Sequence, residues 1–566
     1  MRARRFLVPV ALLLVLALAT TIAAAQEKKV NWEPWGPRVD QIIMPIIKDS
    51  EAQLIAFERG ESVVLPGLTR PGDINKVKQN PNADITVNLG FHMFYLCFNM
   101  RRGPLDDVAI RQAMAHVTNR EQIINQLFQG YMLPLTSFVP QSSPFHNPNV
   151  PQYPYDPEKA KQILEKAGYK LDKATGVRID PKTGKALRKM KIFTPTYEVA
   201  PTSAELGKMI AEAAQAIGLP VEPEPMDFPV MLEKIDVFDF DMYVLAWGLN
   251  RIPDYLYSFF HSSQDVEGGY NNPGIHDAEL DKAIEAVYYP PDLKTAKTAA
   301  DKAQVILSQK LPYITLYSRP YMDAWRKDQV TGYVPMLGYG AAQYNNKWTM
   351  LDIRRVKGEG GTIRWLLPEE PKNLNACVAS SSYEWEVLGR TMDNLYEIDP
   401  DTLEDMPWLA KSWKVETWEP EPGKKGTKVT WYLEKGVKWQ DGEPFTSADI
   451  KFTIEYLKKN EVPLYISDLQ DIVKVETPDQ YTAIVYFSTV SYWHLYHAAY
   501  SFLPKHIWEN VTDWKAFQPW LEAHPKVKGL TKVIGTGPFV LKEYKPGEYV
   551  RLMKNPIYWR LNPPKK

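Results

Sequence analysis

The stretch EGGTIRWLLPEEP, residues 359–371, constrains this chain more than any other. A Gly-Gly pair, a β-rich run over 362–367 and a proline-bracketed acidic turn have the form of a domain's opening strand. That opening stands nearly two-thirds of the way along the sequence. Any fold for this chain has to use a strand that reads as a beginning yet follows a long, already patterned segment.

At 566 residues the chain has length for about three or four domains, each able to bury a core. Its 67 basic and 68 acidic residues leave a net charge of -1, so nothing draws the whole molecule to nucleic acid or anionic lipid. The 17 Trp and 31 Tyr exceed what core filling asks for and suit a surface that grips a flexible polar ligand. Core and rim packing accounts equally well for most of them individually. Two cysteines, Cys97 and Cys377, make neither a disulfide framework nor a Cys-rich metal site. Their pairing with each other stays open in an oxidising compartment.

Arg2, Arg4 and Arg5 precede FLVPVALLLVLALATTI and then Ala23, Ala24, Ala25 and Gln26, the pattern of a secretory signal over residues 1–25. Cleavage is expected after Ala25; kept uncleaved, residues 6–25 approach the ~20 needed to span a bilayer. The junction has no Cys, so lipid anchoring by the bacterial lipobox route is excluded. The chain is expected to be exported, to the periplasm or the outer face of the cell membrane.

Residues 26–38, with Pro34 and Pro37, read as a linker, followed by a strand over 39–47 and a helix over 50–59 that Gly60 ends. One β run is expected over 83–100, then two helices within 108–130, the second opened by a capping box of Thr118 and Glu121. Strand 191–196, helix 203–217 and strand 221–226 form a β-α-β unit, which points to a mixed sheet covered by helices. In DFDMYVLAWGLNRIPDYLYSFF, residues 239–260, a strand ends at Trp247-Gly248 and a polar loop follows. Ligands in α/β architecture sit beyond the carboxyl ends of strands, which makes Trp247, Asp254 and Tyr255 candidate contacts. Asp254 is equally suited to cap a helix starting at Tyr255. No G-x-S-x-G, H-E-x-x-H, P-loop or CxxC occurs, so no catalytic residue, cofactor or metal site is expected, and spacing alone makes no metal site of His92 and His261. A hydrolase is a distant alternative.

Eight strings together resemble the extracellular solute-binding proteins of ABC importers, family 5, which bind oligopeptides and dipeptides. They are CFNMRRGPLDDVAIRQAMAHVTNREQII (97–124), YPYDPEKAKQILEKAGY (153–169), PDYLYSFFHSS (253–263), YNNPGIHDAELDKAI (270–284), GGTIRWLLPEEPKNLN (360–375), MPWLAKSWKVE (406–416), LEKGVKWQDGEPFTSADIKFTIE (433–455) and IGTGPFVLKEYKPGEYVRLMKNPIYW (534–559). Their order is exchanged relative to the family: residues 39–356 resemble its C-terminal part and 359–566 its N-terminal part. The resemblance thus implies a circular permutation rejoined through the glycines at 358, 360 and 361, with a fused gene or exchange between neighbouring subunits as the other origins.

The resemblance implies an α/β, two-lobed periplasmic-binding-protein fold of the large, three-subdomain type, circularly permuted, with a hinge of two crossing strands near residues 94–99 and 314–319. Lobe I would comprise 39–98, 318–378 and 533–566, lobe II 99–317, and a subdomain inserted in lobe I 379–532. A peptide would be captured in the interlobe cleft and delivered by a monomer to a membrane permease, with oligosaccharides or another small solute as alternative ligands. By the same resemblance Asp254 would meet the ligand's α-amine, or Arg251 its carboxylate, while Tyr383, Trp385 and Trp247 would project into the cleft. Asn99 would lie at the hinge, and Gly535 and Gly537 would present backbone groups or simply make a turn.

Overall fold

Alternation in QIIMP makes strand Gln41–Pro45, which buries Ile42 and Met44. It pairs in parallel with Thr362–Arg364, Ile42 opposite Ile363, and antiparallel with Tyr549–Lys554, Ile42 opposite Leu552. Bonds from Trp365 N to Ile43 O at 2.9 Å and from Leu367 N to Pro45 O at 3.0 Å carry the parallel pairing on to Leu367. The stretch that reads as an opening strand is therefore one edge of a four-stranded sheet, completed by Phe539–Lys545. The computed structural model describes residues 32–563 apart from 198–199, 268, 380 and 500, so the expected signal lies outside the described residues.

Contacts divide the chain into two units, one holding the residues up to Asn88 and from Tyr321 onward, the other Leu89–Pro320. In the first, one core surrounds Ile42, Trp325, Ile363, Trp365 and Leu552. A second core, around Trp408, Trp431, Trp439 and Phe487, is covered by the antiparallel sheet of Ala410–Trp418, Gly426–Leu433, Thr482–Phe487 and Ile472–Asp479. Helix Ser447–Lys459 packs on the last two of those strands.

The other unit is built on a six-stranded sheet in the order Leu133–Pro134, Tyr313–Ser318, His92–Phe98, Met242–Gly248, Met190–Pro195, Val221–Met226. The expected β-α-β unit is present: Met190–Pro195 and Val221–Met226 are parallel, with helix Pro201–Gln215 between them in sequence. Leu96, Phe98, Met242, Val244, Ile314 and Leu316 bury one face of the sheet in a common core. Period-2 alternation sends Tyr95, Tyr243 and Tyr313 to the other face, where Tyr95 stacks on Tyr313 at 4.1 Å and meets Tyr243 edge-on at 6.0 Å.

Three expectations differ in detail, and one open point is decided. The single β run over 83–100 is two strands, Ala83–Asn88 and His92–Phe98, in different units, broken at Gly90. A Cβ at Gly90 would lie 2.4 Å from Arg319 O, so a remote segment rather than local pattern sets the break. The second helix, Arg120–Phe128, is capped by Asn119, whose side chain accepts from Gln122 N, while the Thr118 hydroxyl donates back to Met114 O. Residues 32–38, expected as a linker, pack: Trp32 contacts Trp348 at 4.3 Å and Gly36 N donates to Arg560 O at 3.0 Å. Cys97 and Cys377 are both buried, free and in different units, so the open pairing is not made. No described helix is long and apolar enough to cross a membrane.

Candidate functional site

Three strands of the six-stranded sheet bring their ends to one edge. His92, the first residue of its strand, is paired with Gly248, the last of the next, and Tyr313–Ser318 runs out to the same edge beside them. Beyond it lie Gly90, the loop from Leu249 and Arg319. Leu249 N donates to Phe91 O at 2.7 Å, and Ser142 and Ser318 hydroxyls both donate to Gly90 O. This is the strand-end position at which the sequence places Trp247 and Asp254.

Trp247 is half-buried, stacked on Phe259 at 4.5 Å and met edge-on by Tyr270 at 5.7 Å. Tyr270 is 53% exposed, so an aromatic wall runs from the core to solvent. Half-buried Asp254 immediately precedes helix Tyr255–Phe260, yet its side chain makes no capping bond, which removes the capping role as its explanation. Tyr255 adjoins the wall, its ring 5.6 Å from Phe259 and its hydroxyl 3.5 Å from Phe138 O. Arg251 is only 8% exposed and its carbonyl accepts from the Ser143 hydroxyl, so it lies within the packing under the loop.

Below the wall, burial pushes the phenols of Tyr95, Tyr243 and Tyr313 well above their ordinary pKa and also raises the Cys97 thiol, so all four stay protonated. A thiol held protonated in this core is no nucleophile.

In the first unit, helix Ser382–Thr391 carries Tyr383 and Trp385 half-buried on its surface, and the Trp385 indole donates to Ala379 O at 3.1 Å. Asn99, Gly535 and Gly537 each make close contacts within their own unit. Asn99 is 1% exposed, donating to Phe238 O and Phe240 O and accepting from Arg101. Gly535 and Gly537 pass directly against Thr391 and Met392, and their backbone groups bond to Gln440, Thr391 and Asn555. Close chain crossing, which no local pattern reveals, requires both glycines.

Sequence reasoning passed over two groups. One gathers Asp441, His506 and His524: Asp441 Oδ2 lies 2.6 Å from His506 Nε2 and 2.9 Å from His524 Nε2. His524 Nδ1 accepts from Lys526 N and Val527 N, so its Nε2 carries the proton that Asp441 receives and offers no lone pair to a metal. Burial works against it, but the bond and charge of Asp441 lift His506 above its ordinary pKa, and Asp441 sits correspondingly low. These three side chains tie loops together. The other group is His92 with Arg319. His92 Nδ1 donates to Arg319 O at 3.0 Å, leaving Nε2 as the acceptor 3.4 Å from an Arg319 NH2. Burial and the adjacent guanidinium charge depress His92 to about 4. A groove of about 610 Å³ among Asp107, Arg111, Asp277 and Lys310 lies elsewhere in that unit; Asp107 and Asp277 cap helices there and Lys310 pairs with Asp277 at 2.6 Å.

The family described as bacterial extracellular solute-binding proteins, family 5 Middle, matches residues 25–267 and 405–566. The dipeptide-binding protein of Escherichia coli strain K12 is 26% identical over 303 residues, 53% of this chain and 54% of that protein. Oligopeptide-binding protein AppA of Bacillus subtilis strain 168 is 26% identical over 288 residues, 50% of this chain and 51% of AppA. A solved structure of AppA with a nonapeptide aligns with 51% of this chain and 56% of that one, at 24% identity and a TM-score of 0.45. The chain spans about half the length of the curated relatives it matches. With the family matched over more than half of its residues, on a mixed α/β fold, the chain belongs to the bacterial extracellular solute-binding proteins, family 5.

Proposed function

We propose that this chain is the exported solute-binding component of an ABC importer and that it captures peptides for a membrane permease. Its family consists of transport binding proteins rather than enzymes. The observation that carries the reading is the family match together with relatives named for dipeptides and oligopeptides. The strand-end edge supports it: Trp247, Tyr255 and Tyr270 supply flat amphipathic surface, and Asp254 is a carboxylate not spent on capping. Tyr383 and Trp385 are the aromatic contacts proposed for the first unit.

A thermal-shift screen tests this. Pools of di- to pentapeptides at saturating concentration are expected to raise the melting temperature by about 5 °C, the gain when ligand exceeds Kd about 100-fold. Cello- and manno-oligosaccharides should leave it unmoved, and Asp254→Ala should abolish most of the peptide response. A response to the sugars alone overturns the peptide reading.

We also infer that the family's two sequence halves are exchanged here. Gly36 N bonds Arg560 O at 3.0 Å, and the strands that follow Gly36 and precede Arg560 pair along their length. Joining 560 to 36 directly would restore the family order with a short connection, and the replaced joint is the glycine-rich loop near 358–361. A linear comparison that stops at about half of each relative is what an exchanged order produces. A re-ordered chain, residues 359–563 linked to 36–356, is expected to be monomeric by light scattering. It should melt within a few degrees of the parent and respond equally to peptides. An insoluble or peptide-blind product counts against the exchange, and a parent dimer that completes itself with a neighbour's strand counts for the subunit-exchange origin.

A further inference from the structure

Arg120 opens the helix Arg120–Phe128 and is half-buried against strand Tyr313–Ser318. Its Nε donates to Thr315 O at 2.7 Å and one NH group to Tyr153 O at 3.3 Å, while its other N–H groups have no protein partner among the described residues. No carboxylate pairs with it: burial depresses its pKa to about 10, and no neighbouring charge contributes. A cation drawn partly out of water without a counter-charge gains nothing for its lost hydration until an anion arrives. The positive end of the helix adds to that demand.

Arg120 lines a pocket of about 10 Å³ together with Tyr153, Ser308, Tyr313 and Thr315, and no Asp or Glu among the described residues lines it. Ser308, near the end of helix Leu293–Lys310, is 2% exposed, and its buried hydroxyl has no hydrogen-bond partner. A hydroxyl left in that state is costly unless something in the pocket meets it. Tyr153 fixes the two sides relative to each other, since its carbonyl accepts from Arg120 and its hydroxyl donates to Ser308 O at 3.0 Å. The carbonyls of Thr315, Tyr153 and Ser308 are thus already in use, and what the pocket offers an occupant is donors.

We propose that this pocket is a chloride site, in which one monatomic anion accepts from the Arg120 guanidinium and the Ser308 hydroxyl and fastens the two helices together. Its volume is close to that of a single water-sized occupant, which keeps out sulfate and phosphate. The site does not depend on the peptide reading.

The full chain is melted in sodium chloride and in sodium gluconate at equal ionic strength, the organic anion being too large to enter. Chloride about 10-fold above its Kd is expected to raise the melting temperature by about 2–4 °C over gluconate. Ser308→Ala should melt as wild type does in gluconate, because the lost hydroxyl has no partner there, yet need about 5- to 10-fold more chloride for the same gain. Arg120→Gln should lose the chloride response and Arg120→Lys keep part of it; the serine variant carries the test if the glutamine variant fails to fold. Crystals grown in bromide should show an anomalous peak within hydrogen-bond reach of both Arg120 and Ser308 Oγ. Equal melting of wild type in the two salts, an unchanged chloride response in Ser308→Ala, or density in the pocket without bromide signal, which marks a water, overturns the site.

Discussion

Asp393→Ala is expected to destabilise the unit that contains it by about 3–5 kcal/mol, the cost of breaking a buried ion pair from one side. The Asp393 side chain is fully buried. One oxygen accepts from Lys347 Nζ at 3.0 Å, from the Trp408 indole at 3.0 Å and from the Tyr558 hydroxyl at 3.2 Å; the other accepts from the Trp559 indole at 3.1 Å. Removing it leaves Lys347, 4% exposed, with Met392 O and a more distant Glu397 at 3.9 Å. Glu397 is a poor substitute, since at 3.9 Å it lies beyond hydrogen-bond distance of the ammonium. The urea midpoint of this unit at pH 7 should fall while the slope stays constant. A loss under about 1 kcal/mol would show that the cluster is wet and the pair weak.

Gly535→Ala should cost about 2–4 kcal/mol. Its Cβ would fall 1.9 Å from Thr391 O and 2.7 Å from Thr391 C, both main-chain atoms that no side-chain rotation can clear. Moving apart also pulls on Gln440, which accepts from Gly535 N, donates to Thr391 O and Phe539 O, and receives no replacement for either role. Gly72→Ala in helix Pro71–Gln79 is the control, because nothing lies within 4 Å of its added methyl. There the better helix former should be neutral or stabilise by up to about 1 kcal/mol. Equal melting of the two variants would refute the close crossing at Gly535.

Much of the architecture is legible because it is local. The strand at 362–364, the β-α-β unit ending at Met226 and the polar loop after Trp247 all declare themselves through alternation, helical spacing and Gly or Pro punctuation within a few residues. The positions that local pattern does not explain share one physical cause. Gly90, Gly535 and Gly537 are glycines because another segment of backbone passes close by, and that segment is remote in sequence. Asn99 looks like a polar group at a strand end, yet carbonyls at Phe238 and Phe240 use its amide. Asp254 satisfies the sequence rule for a helix cap, and only the side-chain geometry shows that it does not act as one.

By itself the sequence determined many of the secondary elements, the resemblance to family 5 and the strand-end loop at Trp247, since each depends on the order and type of neighbouring residues. Tertiary structure decided which remote segments meet. It set Gln41–Pro45 between Thr362–Arg364 and Tyr549–Lys554, gathered Lys347, Trp408, Tyr558 and Trp559 around Asp393, and turned His92 toward Arg319. Pairings between residues hundreds of positions apart are selected by the joint burial of apolar faces and satisfaction of buried polar groups, and leave no periodic mark in either partner's own stretch of chain.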